Sequence, residues 1–189
     1  LYHSPSLKKK GIEVSYNTRL PLLAKSKSAY KVLKPNGKTA WISTKAGKIY
    51  ASQKDIPVPT GTELVESGKA FLNLPYLWAG MSGFGFDCSG FISYVFHHFD
   101  VDLPRSSGSY KNLGKALKPE DFKVGDILVF YGYKDRTIIG HLGIICEANG
   151  MQSKFIHSSS GKVNSVTITS LATEHYTNRY YKCIDVLSK

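Results

Sequence analysis

Two prolines one residue apart stand in the stretch Ile56-Pro57-Val58-Pro59-Thr60-Gly61. Each holds its own φ near −65°, lacks an amide hydrogen and pushes the residue before it into extended backbone. Neither a helix nor a central strand runs through such a segment, so it reads as a stiff linker. The chain is therefore expected to fold as two pieces, 1–60 and 61–189. Charge changes at the same place. Residues 1–60 hold twelve Lys and Arg against Glu13 and Asp55, a balance of +10, whereas 61–189 contribute only +1 of the net +11.

The first piece reads as short β segments at 12–16, 20–24, 29–33, 39–43 and 48–51. Turn signals separate them, among them Lys34-Pro35-Asn36-Gly37 and Ala46-Gly47-Lys48. Strands this short and close predict a small barrel or a curled sheet. Its charge suits an anionic partner: nucleic acid, a membrane surface or the anionic polymers of a bacterial wall. A merely solvated basic face is the competing reading.

Beyond the linker the periodicity changes. Residues 62–72 and 89–99 read as helices, the second with Phe91, Ile92, Val95, Phe96 and Phe99 on one broad apolar face. Strands are expected at 126–131, 141–147, 154–157, 163–168 and 179–186. Helices followed by an antiparallel run of strands make an α+β fold. No apolar run is long enough for a membrane-spanning helix. The chain opens on Leu1 with no short apolar segment behind a basic start, so no targeting segment is expected within it, and removal of something upstream, a targeting segment or more, stays open.

Of three cysteines, Cys146 and Cys183 lie in apolar, strand-like stretches and read as packing residues. Cys88 is different. It follows the glycine-rich run Gly80-Met81-Ser82-Gly83-Phe84-Gly85-Phe86-Asp87 and opens a helix. A thiol there meets the positive end of the helix dipole, which favours thiolate, and free backbone N–H groups can hold an oxyanion. A plain buried cysteine is the alternative. A nucleophile needs a base. His141 is expected to open a strand, with Gly143 leaving room beside its ring. His157 is expected at the end of the next strand, where antiparallel pairing brings the two rings together as base and orienter. Lone strand histidines also occur simply as packing residues.

The blocks Asp87-Cys88-Ser89-Gly90-Phe91, His141-Leu142-Gly143-Ile144 and Ile156-His157-Ser158-Ser159 resemble, in order, the three motif blocks of the NlpC/p60 family of cysteine peptidases. The resemblance covers most of 62–189. It implies a papain-like core, hydrolysis of peptidoglycan stem peptides, no cofactor, and Cys88, His141 and His157 as nucleophile, base and third member. The run from Tyr76 to Cys88 resembles more narrowly the γ-D-glutamyl-L-diamino acid endopeptidases, which act on stems with a free L-Ala. That implies substrate-binding roles for Tyr76, Asp87, Ser89 and Ser107, with Asp87 and Ser89 on the L-Ala amine. Asp87 also reads as a carboxylate serving only the helix dipole. The subgroup often carries an acid where Ser106 stands. Residues 1–60 resemble a bacterial SH3-like domain. The partners implied are stem peptides and anionic wall polymers rather than nucleic acid. The localisation implied is secreted or wall-associated, with a cytoplasmic recycling role as the alternative.

Three rivals remain from the residues. A zinc hydrolase could use Cys88, His141 and His157 as ligands, although no close ligand pair such as Cys-x-x-Cys occurs. A non-catalytic wall-binding module is the second. A wall amidase or acyltransferase on the same core is the third, because a triad does not choose its bond.

Overall fold

The computed structural model describes residues 1–14 and 18–188. Two compact units divide the chain, Leu1–Pro57 and Val58–Lys189.

In the first unit, strands β1 (Leu22–Lys25), β2 (Ala29–Leu33) and β3 (Thr39–Ser43) form an antiparallel sheet in that order. Tyr2 extends it by one rung, exchanging backbone hydrogen bonds of 2.7 and 2.9 Å with Trp41. Ala29, Val32 and Ala40 are its buried apolar residues. Two expected strands do not form. Residues 12–14 and 48–50 are irregular and lie largely exposed. Extended-prone residues make a strand only where a partner edge receives them. The rest of the 12–16 expectation, Ser15 and Tyr16, lies outside the described residues.

The second unit opens with helix α1 (Gly61–Lys69), started by a capping box in which the Thr60 hydroxyl accepts from Glu63 N and the Glu63 carboxylate accepts from Thr60 N. A two-stranded hairpin follows, β4 (Met81–Ser82) with β5 (Gly85–Phe86), inside what reads in sequence as a plain loop. Helix α2 (Cys88–His97) is next. Strands β6 (Ile127–Tyr131), β7 (Ile139–Glu147), β8 (Lys154–Ser159), β9 (Ser165–Ser170) and β10 (Tyr180–Ile184) form one antiparallel sheet, ordered β10-β6-β7-β8-β9. The short helix α3 (Glu174–Thr177) lies between β9 and β10.

Strand alternation builds two cores. Phe91, Ile92, Val95 and Phe96 of α2 pack with Leu64 and Val65 of α1 against Ile127, Val129, Leu142, Ile144, Ile156 and Val166. Burying the four α2 side chains is worth roughly 6–12 kcal/mol before conformational entropy is counted. Leu128, Phe130, Ile145, Phe155 and Cys183 join Tyr176 of α3 in the second core. Among the described residues, no helix is long and apolar enough to cross a membrane.

Candidate active site

Asp87 is the N-cap of α2, with extended backbone and its Oδ1 accepting from Gly90 N at 2.6 Å. That cap makes Cys88 the first helical residue. Its sulfur is nearly buried and lies 4.0 Å from the Gly140 carbonyl oxygen. Backbone N–H groups of Ser89, Leu142 and Cys88 itself favour the thiolate form. Gly140 and Leu142 flank His141, so α2 delivers the nucleophile to the backbone on either side of the expected base.

His141 is the third residue of β7, which begins two residues earlier than expected, and His157 is the fourth residue of β8 rather than its last. Adjacent pairing of these strands sets His141 Nε2 at 2.8 Å from His157 Nδ1. His157 Nε2 lies 3.0 Å from Thr169 Oγ1 on β9. With Nε2 so occupied, Nδ1 of His141 is the nitrogen left for the thiol proton. One tautomer chain makes Nδ1 basic: His141 Nε2–H donates to His157 Nδ1, and His157 Nε2–H donates to Thr169. Phe130, Phe155 and Tyr176 enclose both rings. Gly143 leaves no empty space beside His141. Phe155 fills it, in contact with where a Gly143 side chain would be.

Electrostatics oppose the local expectation for Cys88. Burial, and then the Asp87 charge, push the thiol up to about 11, against the three backbone N–H groups that favour thiolate. The helix terminus is therefore outweighed, and the resting sulfur is a thiol. Burial first, then His157, the Arg179 guanidinium and His175, hold His141 well below the usual histidine range. Burial and then the same two groups bring His157 down to about 3. Both rings are neutral near pH 7.

Asp87 has a partner that sequence reasoning missed. Arg105 donates Nη1 to Oδ1 at 3.0 Å and Nη2 to Oδ2 at 2.7 Å, and Nη1 also reaches Ser89 Oγ at 3.0 Å. Ser89 in turn donates to Asp87 Oδ1 at 3.3 Å. A basic residue at the head of Arg105-Ser106-Ser107 was a visible signal, but its partner lies eighteen positions away. Ser107 donates to the Ile139 carbonyl at 3.3 Å, beside the start of β7. Tyr76 is half-buried, and burial, then Cys88 and Asp87, raise its phenol above the ordinary range. Tyr76, Cys88 and Asp87 are thus within electrostatic reach of one another. Tyr176, Thr169 and Arg179 also border the site and had no sequence signal. Cys183 is buried and Cys146 partly so, both in core packing. Trp78, ahead of β4, and Phe84, in the hairpin turn, are 85% and 86% exposed.

Among the described residues, no group of three or more His, Cys, Asp or Glu side chains is arranged to hold a metal ion.

Two family models match separate stretches of the chain. A family model described as the NlpC/P60 family matches residues 73–185, and one described as the YKFC SH3b2 domain matches 1–50. The chain is 42% identical over 180 residues to a gamma-D-glutamyl-L-lysine dipeptidyl-peptidase of Bacillus cereus, covering 95% of this chain and 53% of that protein. It is 36% identical over 173 residues to the Bacillus subtilis protein of the same name, covering 88% of this chain and again 53% of the relative. The chain thus spans about half the length of these curated relatives. A crystal structure of an NlpC/P60 family protein from Bacillus cereus superposes with a TM-score of 0.74 at 40% identity, over 99% of this chain and 60% of the other.

Proposed function

The chain belongs to the NlpC/P60 family, and on that premise we propose that it is a cysteine endopeptidase. Its bond is the γ-D-glutamyl-L-diamino acid linkage of peptidoglycan stem peptides, with L-Lys or meso-diaminopimelate on the leaving side. The observation that carries this reading is the 2.8 Å hydrogen bond between His141 and His157, set beside a cysteine at a helix N-terminus.

Nδ1 of His141 takes the thiol proton as sulfur attacks the γ-carbonyl. A resting thiol at about 11 and a base below its usual range make this a transfer coupled to attack rather than a stored ion pair. Backbone N–H of Cys88, with the Tyr76 hydroxyl, receives the oxyanion, each such donor typically worth about 3 kcal/mol. His141 then returns its proton to the leaving amine and later activates water against the thioester. Thr169 and His157 hold the imidazole orientation throughout. Asp87, Ser89 and Ser107 line the acyl side, and the amine of a free L-Ala joins the Asp87–Arg105 pair rather than meeting an isolated carboxylate.

Work on wall peptides implies a secreted or wall-associated protein. The basic first unit, 1–57, would hold it on anionic wall polymers. Incubation with L-Ala-γ-D-Glu-L-Lys, followed by mass analysis, tests the activity. L-Ala-γ-D-Glu and L-Lys are the expected products, and Cys88→Ala should yield none. An unaltered peptide, or equal turnover by Cys88→Ala, would falsify the reading.

A further inference from the structure

Arg179 follows α3 with only 6% of its surface exposed. Its Nε donates to the Tyr131 carbonyl at 2.9 Å and its Nη1 to His175 Nε2 at 2.7 Å. Among the described residues, no carboxylate forms an ion pair with it. A buried guanidinium without a counter-charge is costly, and a ligand anion is one way such a cost is met. The arrangement above it is open to solvent. Because His175 Nε2 accepts from Arg179, its ring is neutral and carries its proton on Nδ1. That ring stacks on Tyr133, which is 70% exposed, at 5.6 Å. Exposed Arg136 donates to the Asn178 carbonyl, one residue before Arg179. Lys111 reaches the Thr137 carbonyl at 3.5 Å. The nearby acids are Asp135, whose Oδ1 accepts from Thr137 N and Oγ1, and Glu174 in the first turn of α3.

This cluster adjoins the catalytic centre on the side of the base. The segment 132–138 is closed by Gly132 N donating to Ile138 O at 2.9 Å. Gly140, whose carbonyl faces the Cys88 sulfur, packs so tightly on Gly132 that a Cβ there would stand 2.5 Å from the Gly132 Cα. Tyr176, next in sequence to His175, has its ring 5.9 Å from His141. The general acid must touch the leaving nitrogen, so the leaving fragment lies on the His141 side. A peptide leaving fragment ends in a carboxylate.

We propose that Arg136, backed by buried Arg179 and flanked by the His175 Nδ1–H, is a carboxylate subsite for the C-terminal end of the leaving fragment. The inference rests on the peptidase reading above and adds how that enzyme measures its substrate. Short stems with a free carboxylate close to the scissile bond are favoured over amidated or cross-linked ones. A planar guanidinium accepts a carboxylate through two parallel hydrogen bonds, and the charge behind it raises the local potential.

The test uses the full chain with two probes, L-Ala-γ-D-Glu-L-Lys as the C-terminal acid and as the C-terminal amide. The wild type should prefer the acid by about tenfold in kcat/KM, chiefly through KM, and added salt should shrink that preference. Arg136→Gln keeps a donor for the Asn178 carbonyl but loses the charge, and its acid-to-amide ratio should fall to within about twofold. Arg136→Lys should retain part of the preference. Cleavage of both probes with a ratio near one, or a ratio unmoved by Arg136→Gln, overturns the subsite alone. Failure to cleave either probe overturns the peptidase reading, and the subsite with it.

Discussion

Arg105 grips the Asp87 carboxylate through both terminal nitrogens, at 3.0 and 2.7 Å, one residue from the nucleophile. Asp87 is one of the two main causes that push the Cys88 thiol up, and Arg105 sets an opposite charge against that carboxylate. Arg105→Ala should leave an unbalanced carboxylate beside the sulfur and lower kcat/KM by about two orders of magnitude, in the range lost when a partly desolvated pair is broken. The double variant Arg105→Ala/Asp87→Asn should regain cysteine alkylation rate, because both charges are gone. An additive double variant would show that the pair does not act through the thiol.

Asp87 should also read the substrate amine only weakly. Its charge is already matched by Arg105, so acetylating the L-Ala amine should cost wild type about tenfold rather than the hundredfold of an isolated ion pair. Asp87→Asn should erase that difference. Equal penalties in the two enzymes would remove the amine from this side of the site.

The resting state should be a neutral thiol facing a neutral imidazole. Alkylation of Cys88 by iodoacetamide should be slow at pH 7 and climb as pH approaches about 11. The acid limb of kcat/KM should lie below pH 6.5, since activity is lost only when His141 takes a proton. Alkylation that is already fast and pH-independent below 7 would mean a preformed thiolate–imidazolium pair.

Stability should fall with acid. His141 and His157 both have folded-state values below 6.5, so below that pH the unfolded chain binds protons that the folded chain refuses. Each histidine then removes about 1.4 kcal/mol per pH unit, and for His157 the loss continues down to about 3. Asp126 works the other way. Burial raises it to about 6, so it gains stability as pH drops through that value and offsets one histidine. Thermal melting from pH 7 to 5 should show a net fall in Tm, and His157→Gln, which cannot titrate, should flatten it. An unchanged slope would place the sensitivity elsewhere.

A methyl group at Gly143 has nowhere to go. Phe155 occupies the space, and that ring in turn packs on His157 at 4.6 Å between centroids. Gly143→Ala should destabilise the fold by about 1–3 kcal/mol and depress kcat more than Gly47→Ala does, since Gly47 has only ordinary contacts. Equal effects on Tm and rate would mean that Phe155 does not support the histidine pair.

The basic unit should anchor the protein to walls through charge. Sedimentation with purified walls bearing anionic polymers should weaken steadily as salt rises, and Lys8, Lys9 and Lys10 changed together to Glu should weaken it further. Binding indifferent to salt would leave the +10 balance of 1–60 as a solvated face.

What the sequence by itself determined is whatever is encoded over a few consecutive residues. The apolar spacing from Phe91 to Phe96 and the glycine-rich approach to Asp87 place a helix with Cys88 at its head. Alternating apolar residues around His141 and His157 place two strands, and a strand carries its histidine to a defined face. The prolines at 57 and 59 mark the boundary between the two units. Strand ends drifted by one or two residues, because a strand stops where its partner's hydrogen bonds stop. The segments at 12–14 and 48–50 failed for the same reason, having extended-prone residues but no edge to join. Only the tertiary structure decided the chemistry of the site. The helix terminus beside Cys88 favours thiolate, yet burial supplied by the sheet and the Asp87 charge outweigh it. Arg105 on Asp87, Phe155 beside Gly143, and Arg179 near His141 each join residues far apart in the chain. Local propensity cannot record such meetings, since the energy of a buried charge depends on what the fold brings around it.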